Sequence, residues 1–379
     1  MREPVAIFGG SFDPVHSGHL ELARLAIARS DFQSIVWVPA ASNPLKLHNP
    51  IASDYDRLYM VKQSVQDFQW SEVSDIELRR GGHSYMVDTV EQLIDQYGLQ
   101  QKPGLIMGED AFASLPRWRG WDRLIKQCRI LVFSRNTSAP DVWQEVLNKG
   151  GHVQQMSMPV IPISSTQIRQ SCMHSAVNAS SLPRPVHQHI VSAGLYTQLY
   201  MRIRAHIEAD LSHNRCMHTL RVESLAIELA QIYGVSQSRV RIAALAHDLA
   251  REWSEKQLYE YAEQAKLGSS EIEQEHPVLL HGACAAHLIQ KSYGICDEEI
   301  LDAVRYHTLG RAGMGEIAKL LYIADYMEPG RSFDTAELRQ SLQNHDLTGS
   351  CICVIRHQQQ RFGELAPMTQ RFLDWLQGK

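Results

Sequence analysis

Val5-Ala6-Ile7-Phe8-Gly9-Gly10-Ser11-Phe12-Asp13-Pro14-Val15-His16-Ser17-Gly18-His19-Leu20 organises the first half of the chain. Four apolar residues lead into a glycine turn, and Leu20 to Ala26 continues with helical periodicity, which predicts strand, turn, helix. Gly9 and Gly10 are expected to let the backbone pass close to a ligand. The helix N-terminus that follows aims free N–H groups and partial positive charge at the same spot, which suits a phosphate. His16 and His19, three apart, would share one face toward it. The turn holds no nucleophile beside a base, so it is built to grip charge.

Reading outward, Ser34–Pro39 is a second apolar strand and Asn43-Pro44-Leu45-Lys46 a turn carrying a cation. Tyr55–Val65 and Tyr85–Tyr97 have helical period. Val73–Leu78 alternates like a strand, and Leu105–Gly108 and Arg129–Phe133 read as short buried strands. Strands alternating with helices predict an α/β domain with a parallel sheet covered on both faces. In such sheets the ligand lies beyond the carboxyl ends of the strands, where the Gly9, Lys46 and Gly108 turns fall. Pro159–Pro162 is a proline-marked strand leading into Ile163-Ser164-Ser165-Thr166-Gln167-Ile168-Arg169. Ser165 or Thr166 is expected to cap the next helix, with Arg169 near its first turn as a second phosphate grip.

The paired stretches resemble the two signatures of the nucleotidyltransferase superfamily, G-x-F-D-P-x-H-x-G-H and I-S-S-T-x-I-R. That resemblance implies a Rossmann-like nucleotidyltransferase fold. Glu77, Arg79, Gly82, Ser84, Tyr85, Asp88, Thr89, Gly108-Glu109-Asp110 and Trp118 are similar to bacterial nicotinate-nucleotide adenylyltransferases, over about residues 1–198. The family joins nicotinate mononucleotide to AMP from ATP with Mg²⁺, making deamido-NAD and pyrophosphate. By the resemblance His16, His19, Lys46 and Arg169 would hold the triphosphate. Gly9, Gly10, Ser11, Phe12, Ser84, Tyr85, Asp88, Thr89, Gly108, Asp110, Trp118, Ser165 and Thr166 would bind the substrates. The family often has His before the lysine, whereas Leu45 stands here, which weakens the case for Lys46.

Near residue 199 the pattern changes to helical period: Leu220–Tyr233, Arg239–Ala250, Trp253–Ala265, Val278–Tyr293, Glu298–Tyr306 and Ile317–Tyr326. Residues 199–379 are therefore expected to form an all-α domain, joined through one helix over His187–Tyr200. Here lie His218, the doublet His247-Asp248, His281, His307 and Asp325. Buried carboxylates need compensation, and a metal is the usual one. The order H…HD…H…H…D resembles the HD-domain phosphohydrolases. Tyr306–Arg311 and Ala324–Arg331 bring it close to their YqeK-like branch, over roughly residues 199–345. That branch cleaves diadenosine tetraphosphate symmetrically to two ADP at a binuclear iron-type centre. By the resemblance Asp248 would bridge two ions, with His218, His247 and Asp325 on one and His281 and His307 on the other. Mixed imidazole–carboxylate ligation favours iron or manganese over magnesium. Arg311 and Arg331 are candidate phosphate clamps.

The totals agree with a metabolic enzyme. The 379 residues suffice for two cores. A net charge of −5 and a pI near 6.4 argue against nucleic-acid or anionic-membrane partners. Met1–Pro4 runs straight into the first strand, so no signal peptide is expected. Seven cysteines without a C-x-x-C pair point to reduced thiols in a cytoplasm. Self-association into a homo-oligomer is compatible with all of this. The expected activity is a dinucleotide-making transferase fused to a dinucleotide-cleaving hydrolase. The alternative is an adenylyltransferase for another acceptor, such as phosphopantetheine, gated by a nucleotide-sensing HD domain. Trp118, the Ser84–Thr89 segment and the complete set of six metal-type residues argue against it.

Overall fold

The computed structural model describes residues 4–42, 44–45, 50–134, 139–157, 163–174, 181–331, 333, 338–339 and 346–379. Lys46 and the strand expected at 159–162 lie outside the described residues. The chain divides into two compact units, Met1–His189 and Ile190–Lys379.

The first unit is built on six strands: β1 (Val5–Gly10), β2 (Ser34–Pro39), β3 (Ser71–Val73), β4 (Gly104–Gly108), β5 (Arg129–Ser134) and β6 (His152–Ser157). All pair in parallel, in the order β3-β2-β1-β4-β5-β6. Around it run α1 (Ser17–Arg29), α2 (Asp54–Val65), α3 (Ile76–Arg80), α4 (Met86–Tyr97), α5 (Glu109–Ala113), α6 (Trp121–Gln127), α7 (Pro140–Asn148), α8 (Ser165–Met173) and α9 (Arg184–Ser192). The central strands are near-continuous apolar runs because both faces are covered. Successive strands step one way from β1 to β3 and the other way from β4 to β6, so the order reverses between β1 and β4. Such a reversal opens a crevice at the strands' carboxyl ends. Gly10 ends β1 and Gly108 ends β4, one on each side of it.

Two local expectations fail for physical reasons. The strand expected over Val73–Leu78 stops at Val73, and Ile76–Arg80 is helical. Ser74 Oγ accepts from Ile76 N at 3.4 Å, a local bond that favours a turn over a ladder. β6 escaped the apolar-run criterion because it is a polar edge strand with only Met156 buried.

The second unit is helical: α10 (Gln198–Asp210), α11 (His213–Ile232), α12 (Gln237–Ala246), α13 (Glu255–Gln264), α14 (Glu271–Glu275), α15 (His281–Tyr293), α16 (Glu298–Tyr306), α17 (Glu316–Met327), α18 (Leu347–Phe362) and α19 (Pro367–Leu376). α17 is buried on nearly every side, as a helix apolar all round must be. The single helix expected over His187–Tyr200 is two. Gly194 takes φ +63° after α9, and Thr197 Oγ1 then caps α10 by accepting from Tyr200 N at 3.3 Å. α11 starts seven residues before the expected Leu220, because Ser212 caps it through Arg215 N at 3.3 Å. His218 therefore sits inside a helix.

Buried charge ties α10, α11 and α12 together. Glu223, fully buried, accepts from Arg241 Nη1, and Arg204 Nη1 lies 3.7 Å from its other oxygen. Among the described residues, no helix is long and apolar enough to cross a membrane.

Candidate active sites

In the first unit, the loop after β1 is fixed from three sides. The Asp13 carboxylate accepts from Ile51 N and Ala52 N at 2.9 and 3.0 Å. Arg57, fully buried, donates to Ser11 O and Ala40 O at 2.9 and 2.6 Å. From α8, Arg169 Nη1 donates to Asp13 O at 2.6 Å and Ser165 Oγ donates to Pro14 O at 2.9 Å. The second signature is thus docked on the first. Thr166 Oγ1 lies 3.3 Å from Arg169 Nη2, whereas the cap of α8 is Ser164, which accepts from Gln167 N at 3.2 Å.

His16 is the residue just before α1, and its ring stacks on that of His19. Its own backbone N–H donates to His19 Nδ1 at 3.2 Å. That bond makes Nδ1 of His19 the acceptor and leaves its proton on Nε2, a donor suited to a phosphate oxygen. Burial holds the His16 pKa down at about 4, so its ring is neutral.

Gly9 and Gly10 also have a packing role. A Cβ at Gly9 would lie 2.2 Å from Met86 Cε, and one at Gly10 would lie 3.0 Å from the Phe12 ring. Both glycines make room for packing. Phe12 is itself buried among Phe8, His19 and Trp37. Thr89 is fully buried, with its hydroxyl donated to Glu77 Oε1 at 2.5 Å, which ties α4 to α3. Ser84 Oγ accepts from Ala41 N at 2.9 Å. The Tyr85 ring carries Arg119 at 4.5 Å, and Arg119 lies 3.8 Å from Asp88. Gly108 precedes α5, Asp110 is exposed, and Trp118 is half-buried with its indole N–H donated to Ser114 Oγ.

In the second unit all six expected residues converge. Asp248 Oδ2 lies 3.5 Å from His218 Nε2 and 3.3 Å from His247 Nε2. Its Oδ1 lies 3.3 Å from His281 Nε2 and 3.8 Å from His307 Nε2. Asp325 Oδ1 is 3.1 Å from His218 Nε2 and 4.0 Å from His247 Nε2. Ligand atoms of His218, His247 and Asp325 lie within 4.8 Å of one another, as do those of His247, Asp248 and His307.

The hydrogen bonds behind the rings show that a cation fits. His247, His281 and His307 each hold Nδ1 against their own i−3 carbonyl, of Ala244, Val278 and Val304, at 2.7, 2.6 and 2.8 Å. A carbonyl can only accept, so Nδ1 carries a proton in each ring and Nε2 is the atom turned to the centre, free to ligate in the neutral form. The Nε2 atoms of His281 and His307 face each other at 3.0 Å, and His247 Nε2 lies 3.3 Å from Asp248 Oδ2. Such a set suits a shared cation.

Electrostatics agree. Burial raises the Asp248 pKa, but the adjacent His247 and His281 imidazoles outweigh it and hold the carboxyl well below the usual range, while burial works against the His247 proton and Asp248 raises the His247 pKa. Asp325 is partly buried, which raises its pKa, yet the His218 hydrogen bond and nearby positive charge outweigh this and depress it. Burial, reinforced by His247 and His281, brings His307 down to about 3. The carboxylates are therefore ionised and His307 is neutral.

Arg331 donates to Asp325 O and Oδ1 at 2.6 and 2.7 Å, so it grips a cluster residue. Arg311 pairs with Asp302 at 2.7 Å and stacks on Tyr306, in a groove lined by none of the six. Arg215, missed in the sequence, donates to Asp248 Oδ2 at 2.8 Å. Its position one helical turn before His218 was the available signal.

A cytidylyltransferase-like family model matches residues 7–171, and an HD-domain model matches residues 215–330. A Treponema pallidum (strain Nichols) protein named probable nicotinate-nucleotide adenylyltransferase is 33% identical over 208 residues, covering 51% of this chain and 98% of that protein. The symmetrical bis(5'-nucleosyl)-tetraphosphatase of Bacillus subtilis (strain 168) is 35% identical over 151 residues, 40% of this chain and 81% of that one. A Mycoplasma genitalium protein, probable nicotinate-nucleotide adenylyltransferase/Ap4A hydrolase, is 26% identical over 334 residues, covering 87% of this chain and 89% of its own. With one signature set in each unit, the chain belongs to the nicotinate-nucleotide adenylyltransferase family and, through its HD domain, to that of the symmetrical bis(5'-nucleosyl)-tetraphosphatases.

Proposed function

We propose that the chain is a bifunctional enzyme. Its first unit transfers AMP from ATP to nicotinate mononucleotide, giving deamido-NAD and pyrophosphate. Its second hydrolyses diadenosine tetraphosphate to two ADP. Both act on small nucleotides in the cytoplasm.

In the first reaction the acceptor's phosphate oxygen attacks the α-phosphorus of ATP and pyrophosphate leaves, so no protein nucleophile is needed. Catalysis rests on alignment and on charge held at the pentacoordinate phosphorus. His19 Nε2–H donates to a phosphate oxygen, the neutral His16 ring backs it, and Arg169 brings a guanidinium to the same loop. Mg²⁺ arrives with ATP and offsets its charge. Trp118 offers a ring face for the pyridine. The docking of Arg169 on Asp13 O, which joins the two signatures, is the observation that supports this reading.

In the second unit His218, His247, His281, His307, Asp248 and Asp325 would hold two ions, iron or manganese by donor type. When bound, such ions supply Lewis acidity that activates water and offsets phosphate charge. The chain's own part is to aim four imidazole Nε2 atoms at one centre, to present both Asp248 oxygens, and to fix Asp325 through Arg331. The division of the Asp248 oxygens between two histidine pairs carries this reading.

One set of assays tests both. Metal content is measured, and products are separated after incubation with nicotinate mononucleotide plus ATP and, separately, with diadenosine tetraphosphate. Deamido-NAD from the first and ADP alone from the second are expected. AMP plus ATP from the second, or no product from either, would refute the corresponding half.

A further inference from the structure

The four cluster histidines are not oriented alike. His247, His281 and His307 sit at helix ends, where an i−3 carbonyl of their own chain segment takes Nδ1–H. His218 lies inside α11, where backbone carbonyls are committed to the helix. A different group stands behind it. Glu328, 2% exposed and immediately after α17, places Oε1 3.2 Å from His218 Nδ1.

Glu328 is itself held in place. Its Oε2 accepts from Arg221 Nε at 2.5 Å and from Gly330 N at 2.6 Å, and Arg221 Nη2 lies 3.5 Å from Oε1. Arg221 follows His218 by one helical turn, so α11 supplies both the imidazole and the cation that anchors its partner. Gly330 leaves the space: a Cβ there would meet the Arg221 guanidinium at 2.4 Å. A simple tie between α11 and α17 would need only Arg221 and Glu328. It would not need Oε1 on an imidazole whose other nitrogen faces Asp325 Oδ1 at 3.1 Å and Asp248 Oδ2 at 3.5 Å.

We infer that Glu328 is the positioning residue for His218: its carboxylate takes the Nδ1 proton and turns Nε2 toward Asp248 and Asp325. It does for a mid-helix histidine what backbone carbonyls do for the other three. Carboxylate partners of this kind fix ring and tautomer, and losing one weakens metal binding by about 10- to 100-fold. The inference rests on the proposed metal centre.

The test uses the full chain. Histidine-¹⁵N NMR of the chelator-treated wild type should show a proton on His218 Nδ1; an Nδ1 without a proton would overturn the inference. Mn²⁺ titration then compares wild type, Glu328→Ala and Glu328→Gln, with melting curves alongside. Glu328→Ala should bind Mn²⁺ about 10- to 100-fold more weakly. Glu328→Gln, whose amide oxygen still accepts, should recover part of the loss. Where Glu328→Ala does not fold, the wild-type tautomer and Glu328→Gln decide. Wild-type binding matched by Glu328→Ala overturns this inference alone. No Mn²⁺ binding by the wild type overturns the metal reading, and the inference with it.

Discussion

The imidazoles of His16 and His19 stack with ring centroids 3.8 Å apart and planes 29° from parallel. The His16 backbone N–H on His19 Nδ1 fixes which nitrogen of His19 carries the proton. Under the proposed transferase reading, that proton meets charge that grows at phosphorus in the transition state. His19→Ala should therefore lower kcat for adenylyl transfer by the equivalent of about 2–4 kcal/mol, as for one lost transition-state donor. Folding should be intact by circular dichroism. An unchanged kcat removes His19 from the chemistry.

His16 gives a pH dependence of known sign. Its folded pKa of about 4 lies below the usual 6.5 of a free imidazole because burial disfavours the charged ring. Between these values the unfolded chain binds more protons than the folded one, so stability falls as pH falls from 6.5 toward 4. The contribution is on the order of 3 kcal/mol across that window. An NMR titration of His16 should have its midpoint near 4; a midpoint near 6.5 would contradict the burial argument.

The β1–α1 stretch and the H…HD…H…H…D order were legible because each compresses its chemistry into local spacing. What the spacing could not show was where neighbours come from. At Gly9 the spacing shows a turn, and not that Met86, from another element, fills the space a Cβ would take. At Thr89 it could not show that Glu77 takes the hydroxyl. Glu328 was in view within the Asp325 motif, yet its partner His218 is 110 residues away, and no period connects them. β6 was invisible for the opposite reason, since an edge strand needs little apolar sequence.

Close approach at two glycines predicts unequal costs. A Cβ at Gly282 would lie 2.6 Å from Arg305 O and 3.1 Å from Val304 O, backbone atoms that cannot swing aside. Gly282→Ala must push α15 and α16 apart, at about 1–3 kcal/mol or more. Val304 O also takes the His307 Nδ1 proton, so Mn²⁺ affinity should fall with stability. Gly9→Ala meets only the tip of Met86, a flexible side chain, and should fall near the bottom of that range. Urea unfolding of the two variants compares them; equal losses would mean that α15 and α16 yield as easily as a methionine.

Asp248 is the residue whose loss separates the two activities. It touches all four imidazoles and also accepts from Arg215, so no neighbour can stand in for it. With alanine there, two pairs of bare nitrogens lose the anion between them, and Arg215 is left with its charge unmatched at that position. Asp248→Ala should lose bound metal and diadenosine tetraphosphate hydrolysis together, whereas adenylyl transfer, resting on a unit with its own core, should persist. Asp248→Asn keeps one acceptor oxygen and should retain a partial metal complement. Metal analysis beside both activity assays reads all of this at once. An Asp248→Ala chain with full metal and full hydrolysis would place the reaction elsewhere in the second unit.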